Sequence, residues 1–177
     1  RVGAWGGPKL AFAVILAGAA ALRLVGVAYA HPFALFSPDE QSIVPRAWHM
    51  AHGGGLDPDW FDYPSLLMYV LAPFEAFSAH PSYVTARLVV IALAVGAVAA
   101  TWWLGSRAYG GLAGPVAAAC LAVETTHVAY SRMAVTDILL TTLLTVALAL
   151  LVSGRLDLAG VAIGLATAAK WPGAIAV

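Results

Sequence analysis

From Leu88 to Gly105 the chain runs eighteen residues without a charged side chain. A helix rises ~1.5 Å per residue, and about 20 apolar residues cross a bilayer core. The run extends back past Arg87 and predicts a membrane-spanning helix. Four further stretches read the same way: Leu10–Ala30, with Arg23 inside it; Leu112 to about Val128, with Glu124 near its end; Ile138–Val152; and Leu158–Val177, interrupted at Lys170-Trp171-Pro172. Ser65–Phe77 is apolar but short and carries Glu75, so it reads as an interfacial helix or a short span. Composition agrees. The chain is 62% hydrophobic and 10% charged, whereas a soluble domain is roughly 45–50% apolar and about 25% charged. The expected fold is therefore all-α, a polytopic membrane helix bundle with about five spans. The chain starts at Arg1 rather than Met and ends inside an apolar segment, so it reads as a piece of a longer protein, truncated at both ends.

Charge placement orients the bundle. Lys and Arg favour the cytoplasmic side of spans. If Ser65–Phe77 does not cross, then Arg1, Lys9, Arg107 and Arg155 share one side and the N-terminus is cytoplasmic. The segment Asp39–Pro64 and the turn Ser131–Asp137 then share the outer side. The organisation expected over residues 1–177 is a first span at 10–30, an extracytoplasmic loop with short interfacial helices at 31–82, and further spans at 83–177. A formal net charge of +0 gives no reason to expect a nucleic-acid partner. Cys120 lies alone in an apolar run and reads as a small buried hydrophobe.

Five of the nine acidic residues (Asp39, Glu40, Asp57, Asp59 and Asp62) fall within 24 positions of the first loop. Ser37 is placed to N-cap a helix that opens on Pro38, with Glu40 completing a capping box. Pro45 is expected to break that helix early, and a second stretch, Arg46–His52, to stop at Gly53-Gly54-Gly55. Asp39 and Glu40 read either as a cap that complements the helix dipole or as a general base or metal ligand at the membrane face. The turn at 131–137 reads as a local Arg132–Asp137 pair, or as a site where Arg132 meets phosphate and Asp137 supports the acceptor. Asp57 and Asp59 read as solvated loop carboxylates, with a divalent-metal pair as the alternative. His127 reads as a satisfied interfacial histidine. Arg87, at the outer end of its span, reads as snorkelling or as reaching a lipid phosphate, and Lys170 similarly. Arg23, deeper, is expected to pair inside the bundle. No P-loop, G-x-G-x-x-G, H-E-x-x-H or G-x-S-x-G motif is present.

A span, then an outer loop opening on Asp39-Glu40, is followed by Tyr63-Pro64-Ser65-Leu66-Leu67-Met68-Tyr69, Ala86-Arg87-Leu88 and Gly105-Ser106-Arg107-Ala108-Tyr109-Gly110. Ser131-Arg132, Thr136-Asp137 and Gly164 through Lys170 complete the order. In this order the chain resembles the N-terminal module of the polytopic C-type (GT-C) glycosyltransferases. These include the dolichyl-phosphate-mannose protein mannosyltransferases and the aminoarabinose transferases. It departs from them in carrying Ser65 where many have a second proline, and in Pro45. The resemblance implies a bacterial plasma-membrane glycosyltransferase that uses a polyprenyl-phosphate sugar at the extracytoplasmic face. The acceptor would be a hydroxyl on protein, lipid or glycan, and the sugar would be transferred with inversion. It implies Asp39 as the catalytic carboxylate and base for the acceptor hydroxyl, with Glu40 beside it and Asp137 as the second catalytic acidic position, and Arg87, Arg132 and Lys170 as phosphate-binding cations. A divalent cation such as Mg or Mn, on Asp39 and Glu40, is an option within it. The competing reading is a transporter or flippase of lipid-linked substrates, which would place charges near the bilayer midplane.

Overall fold

In a computed structural model of the protein, residues 7–31 and 37–176 are described, and among them there are helices but no strands. Helix α1 is Gly7–Leu24, α2 Pro38–Ala51, α3 Leu66–Glu75 and α4 Tyr83–Ala108. They are followed by α5 Ala113–Val123, α6 Thr125–Tyr130, α7 Thr136–Val152, α8 Leu156–Ala169 and a 3₁₀ turn over Trp171–Ala176. The fold is all-α, as expected. By length and composition, α4 alone among the described helices is long and apolar enough to cross a membrane. Helices α3, α5, α7 and α8 are shorter apolar helices.

Helix α4 is the central post. It packs most heavily against α7 and α5, and α7 against α8. The α4–α5 hairpin is tight because both faces are glycine: a Cβ on Gly105 would sit 2.9 Å from the Cα of Gly114. Between α4 and α7, the Thr142 hydroxyl donates to the Leu93 carbonyl at 3.1 Å. The largest buried cluster lies where α2 and α3 meet the start of α4 and of α7, and includes Ile43, Val44, Leu67, Leu71, Val90 and Ile138.

Three local expectations are corrected. Pro45 does not break the first-loop helix; α2 continues through it to Ala51. A proline inside a helix costs about 3 kcal/mol. Ile43, Val44, Ala47 and Met50 form one buried stripe on α2, and burying such aliphatic side chains returns about 1.5–3 kcal/mol each. The loop thus carries one helix where two short ones were expected before Gly53, and the chain turns there with φ +87°. The first apolar run is helical only to Leu24, and its remainder to His31 is turns. The run after Leu112 is broken at Glu124, which ends α5. Its carboxylate there caps α6, accepting from the Thr126 and His127 amides.

Candidate functional site

Ser37 sits at the N-cap of α2 with Pro38 following, but the expected capping box does not form. Glu40 turns inward and is fully buried. Arg87 Nε donates to Glu40 Oε1 and Arg87 Nη2 to Oε2, both at 2.8 Å. The Ala134 amide donates to Oε1 at 2.8 Å. Arg87 Nη1 reaches the carbonyls of Val27 and Tyr29, each at 2.9 Å. One carboxylate and one guanidinium therefore tie together α2, α4, the turn after α1 and the turn before α7. Arg87 is 3% exposed, so it is committed to protein groups and does not snorkel.

With Glu40 facing in, Asp39 faces out and is half-buried. Close to it lies a second pair. Lys170, the residue after α8, donates from Nζ to Asp137 Oδ1 at 2.8 Å and to Oδ2 at 2.9 Å. The local Arg132–Asp137 pair expected from the sequence is not made: Arg132 Nη2 donates to the Leu22 carbonyl, and the partner of Asp137 comes from 33 residues downstream. The Lys170 ammonium also lies 5.1 Å from the Tyr63 ring centroid. Burial opposes its charge, but the hydrogen bond and charge of Asp137 outweigh that. Tyr63 and the Asp39 carboxylate add to them, so its pKa lies above the usual lysine value. Asp39, Tyr63, Asp137 and Lys170 thus form one cluster, built from the start of α2, the 56–65 loop, the start of α7 and the end of α8.

Two cavities of about 390 Å³ each open near these pairs, the first sharing Arg87 with the buried pair and the second sharing Asp137 with the cluster. The first is mostly apolar and is lined by Val25, Gly26, Tyr29, Arg87, Ala129, Arg132 and Met133. Arg132 Nε is buried there without a partner among the described residues. The second is lined by Glu124, His127, Tyr130, Asp137 and Thr141, among others. It reaches Asp137 from the side of α6.

Arg23 pairs inside the bundle, as expected, and Tyr63 takes a place that spacing does not show. Arg23 is fully buried and donates to the carbonyls of Ala19, Leu121 and Ala122 and to His127 Nδ1 at 2.8 Å. A guanidinium has no acceptor, so Nδ1 must accept and the imidazole proton sits on Nε2. Tyr63 is 107 positions from the lysine it covers, and no local pattern links them. Asp57 accepts from the Asp59 amide at 3.0 Å, a turn contact. Among the described residues no three His, Cys, Asp or Glu side chains converge to hold a metal. Both oxygens of Glu40 are already engaged. Asp39 and Glu40 do not fit a shared metal.

The opposite end of the bundle differs in charge. Lys9 lines a shallow pocket with Trp102 and Trp103 near the end of α4. Arg107 closes α4 and Arg155 precedes α8.

A family model described as glycosyltransferase family 87 matches residues 60–177. Tyr63, Arg87, Arg132, Asp137 and Lys170 lie within the matched stretch, and Asp39 and Glu40 lie before it. No curated protein and no solved structure matches the chain.

Proposed function

Since the chain belongs to glycosyltransferase family 87, a family of membrane glycosyltransferases, we propose that it moves a hexosyl or pentosyl residue from a polyprenyl-phosphate donor to an acceptor hydroxyl. The acceptor lies on a protein, lipid or glycan, and the transfer inverts the anomeric centre at the extracytoplasmic face. This reading keeps the wider GT-C resemblance, including its mannosyl- and aminoarabinosyl-transferring groups. The observation that carries it is the gathering of Asp39, Lys170 and Asp137 at one end of the bundle, where the Glu40–Arg87 pair beside Asp39 borders an apolar cavity that Arg132 also lines.

Asp39 takes the proton from the acceptor hydroxyl. The acceptor oxygen bonds to the anomeric carbon as the bond from that carbon to the phosphate oxygen breaks. The lipid phosphate leaves with the electron pair. Lys170 and Arg132 meet its charge, and Asp137 holds Lys170 in place. Cations aimed at developing charge in a poorly hydrated site lower the barrier without reorganising. The Glu40–Arg87 pair fixes the first turn of α2, so that Asp39 presents its carboxylate outward.

In the membrane, we propose five crossings: α1, α4, α5–α6, α7 and α8. Helices α2 and α3 lie at the outer face of a bacterial plasma membrane and the N-terminus is cytoplasmic. Lys9, Arg107 and Arg155 then meet the cytoplasm, in keeping with the positive-inside rule, and the acidic cluster meets the outside.

The test is a transfer assay on the full-length protein in membranes, with a panel of polyprenyl-phosphate sugars and Asp39→Asn beside wild type. Asn keeps size and removes the base, and transfer is expected to fall by about 10²–10⁴-fold at unchanged expression. Equal transfer by Asp39→Asn would remove Asp39 as the base. Failure of every donor with wild type would favour a transporter of lipid-linked substrates.

A further inference from the structure

Lys170 sits at the end of a long, flexible stem just beyond α8, where the backbone is extended. Asp137 holds its ammonium on one side only. The other side is covered by the face of Tyr63, 5.1 Å from the ring centroid, within the ~6 Å range of a cation–π contact. Tyr63 is itself braced. Trp60 meets it edge to face at 5.5 Å and 79°. The Arg46 guanidinium lies 5.5 Å from the Trp60 ring centroid. Arg46 is pinned in turn, Nε to the Pro58 carbonyl at 3.0 Å and Nη1 to the Ser42 carbonyl at 2.9 Å. Pro64 restricts the backbone of Tyr63. A line of contacts, cation to ring to ring to cation, therefore runs from α2, the helix that carries Asp39, to the ammonium after α8.

We propose that Tyr63 is a positioning residue for the transfer reaction, its ring holding the Lys170 ammonium where it faces Asp137 and Asp39 together. This rests on the functional reading above. The ring face does the work and the phenol hydroxyl is dispensable, so phenylalanine replaces it and an aliphatic side chain does not. Through these contacts, the 56–65 loop links α2 to the end of α8.

The experiment uses the full-length protein in membranes or detergent with Tyr63→Phe, Tyr63→Leu, Lys170→Gln and the double variant Tyr63→Leu/Lys170→Gln. Tyr63→Leu is expected to lower kcat about tenfold, the scale of a partly desolvated cation–π contact, with little change in the KM of the acceptor. Tyr63→Phe should stay within about twofold of wild type. In the Lys170→Gln background Tyr63→Leu should add nothing, because the two act as a unit. A second readout needs no turnover: competitive acetylation of Lys170 by acetic anhydride against pH, followed by mass spectrometry. The titratable and charged groups facing Lys170 are Asp137, Asp39 and Tyr63. Tyr63→Phe removes the phenolate charge and Tyr63→Leu removes the ring as well, so half-labelling should move to lower pH further in Tyr63→Leu than in Tyr63→Phe. Multiplying losses in the double variant, or the same labelling curve for Tyr63→Leu and Tyr63→Phe, would overturn the proposal. If wild type transfers from no donor, the functional reading fails and the labelling arm still decides whether the ring holds the ammonium.

Discussion

Two ion pairs stand near each other at one end of this molecule, and they are built differently. Glu40 and Arg87 have side chains 0% and 4% exposed, and three further groups on two turns close around them. Asp137 and Lys170 have side chains 37% and 20% exposed and are held to each other by a single ammonium. A buried pair is costly to form and costlier to break, since removal of one partner leaves a charge with no water. A half-open pair contributes little to stability and can exchange its partner for a ligand. The closed pair suits a brace. The open pair suits a site that must receive a phosphate and release it.

Breaking the brace should give the largest effect. Arg87→Ala leaves the Glu40 carboxylate buried and unpaired, and is expected to cost about 3–5 kcal/mol. The measurement is denaturant or thermal unfolding of the full-length protein in detergent. Glu40→Leu combined with Arg87→Met removes both charges and should recover part of that loss. The Ala134 amide would still lack its acceptor, a penalty of about 1–3 kcal/mol, so recovery stays incomplete. A loss below about 1 kcal/mol for Arg87→Ala would show that the pair is not the brace described here.

The two pairs also differ in how far the sequence disclosed them. The helices α4 and α7 were legible because a long run of uncharged residues has few alternatives. The first loop and the 131–137 turn were grouped by their charge, and in the structure they touch through Glu40 and the Ala134 amide. Neither pair was legible, because Glu40 and Arg87 lie 47 positions apart and Asp137 and Lys170 lie 33 apart. Local spacing reports what a residue can do for its own turn, which is why Glu40 looked like half of a capping box. It does not report that a distant arginine offers a better partner. Pro45 misled for a related reason: the local cost of proline was readable, but the burial that outweighs it comes from α3 and α4. Glu124 looked like the end of a span, and its competing role as a cap was visible only once α6 was seen to begin there.

Opening the second pair should separate stability from rate. Asp137→Asn and Lys170→Gln are each expected to change unfolding stability by no more than about 1 kcal/mol. Transfer should nevertheless fall by roughly 10²-fold, as on loss of one preorganised charge at a reacting centre. Parallel unfolding curves and transfer assays on the same preparations check this. If the unfolding midpoints fell as far as those of Arg87→Ala, both pairs would be braces and the site would have to lie elsewhere.

The smallest effect tests a second buried carboxylate, which belongs to neither pair. Glu75 ends α3 and is fully buried. One of its oxygens accepts from the Ser82 amide at 2.9 Å, and the other has no partner among the described residues. Burial pushes its pKa above the usual carboxyl value, against the pull of the Ser82 amide and of His52. The sign follows from linkage. At low pH the group is protonated whether the chain is folded or not, and it contributes no slope. As pH rises past the ordinary carboxyl value the unfolded chain loses this proton first, so the folded state binds more protons and loses stability, until the raised folded pKa is passed. Glu75→Gln removes the titration and keeps an oxygen for the Ser82 amide. The difference in stability between variant and wild type should therefore shift in favour of the variant across that window and stay flat beyond it. Unfolding midpoints of both proteins, taken from acid to neutral pH in the same detergent, measure it. Curves that run parallel throughout would mean that Glu75 finds a partner for its charge, and that the brace at Glu40 is less unusual than it looks.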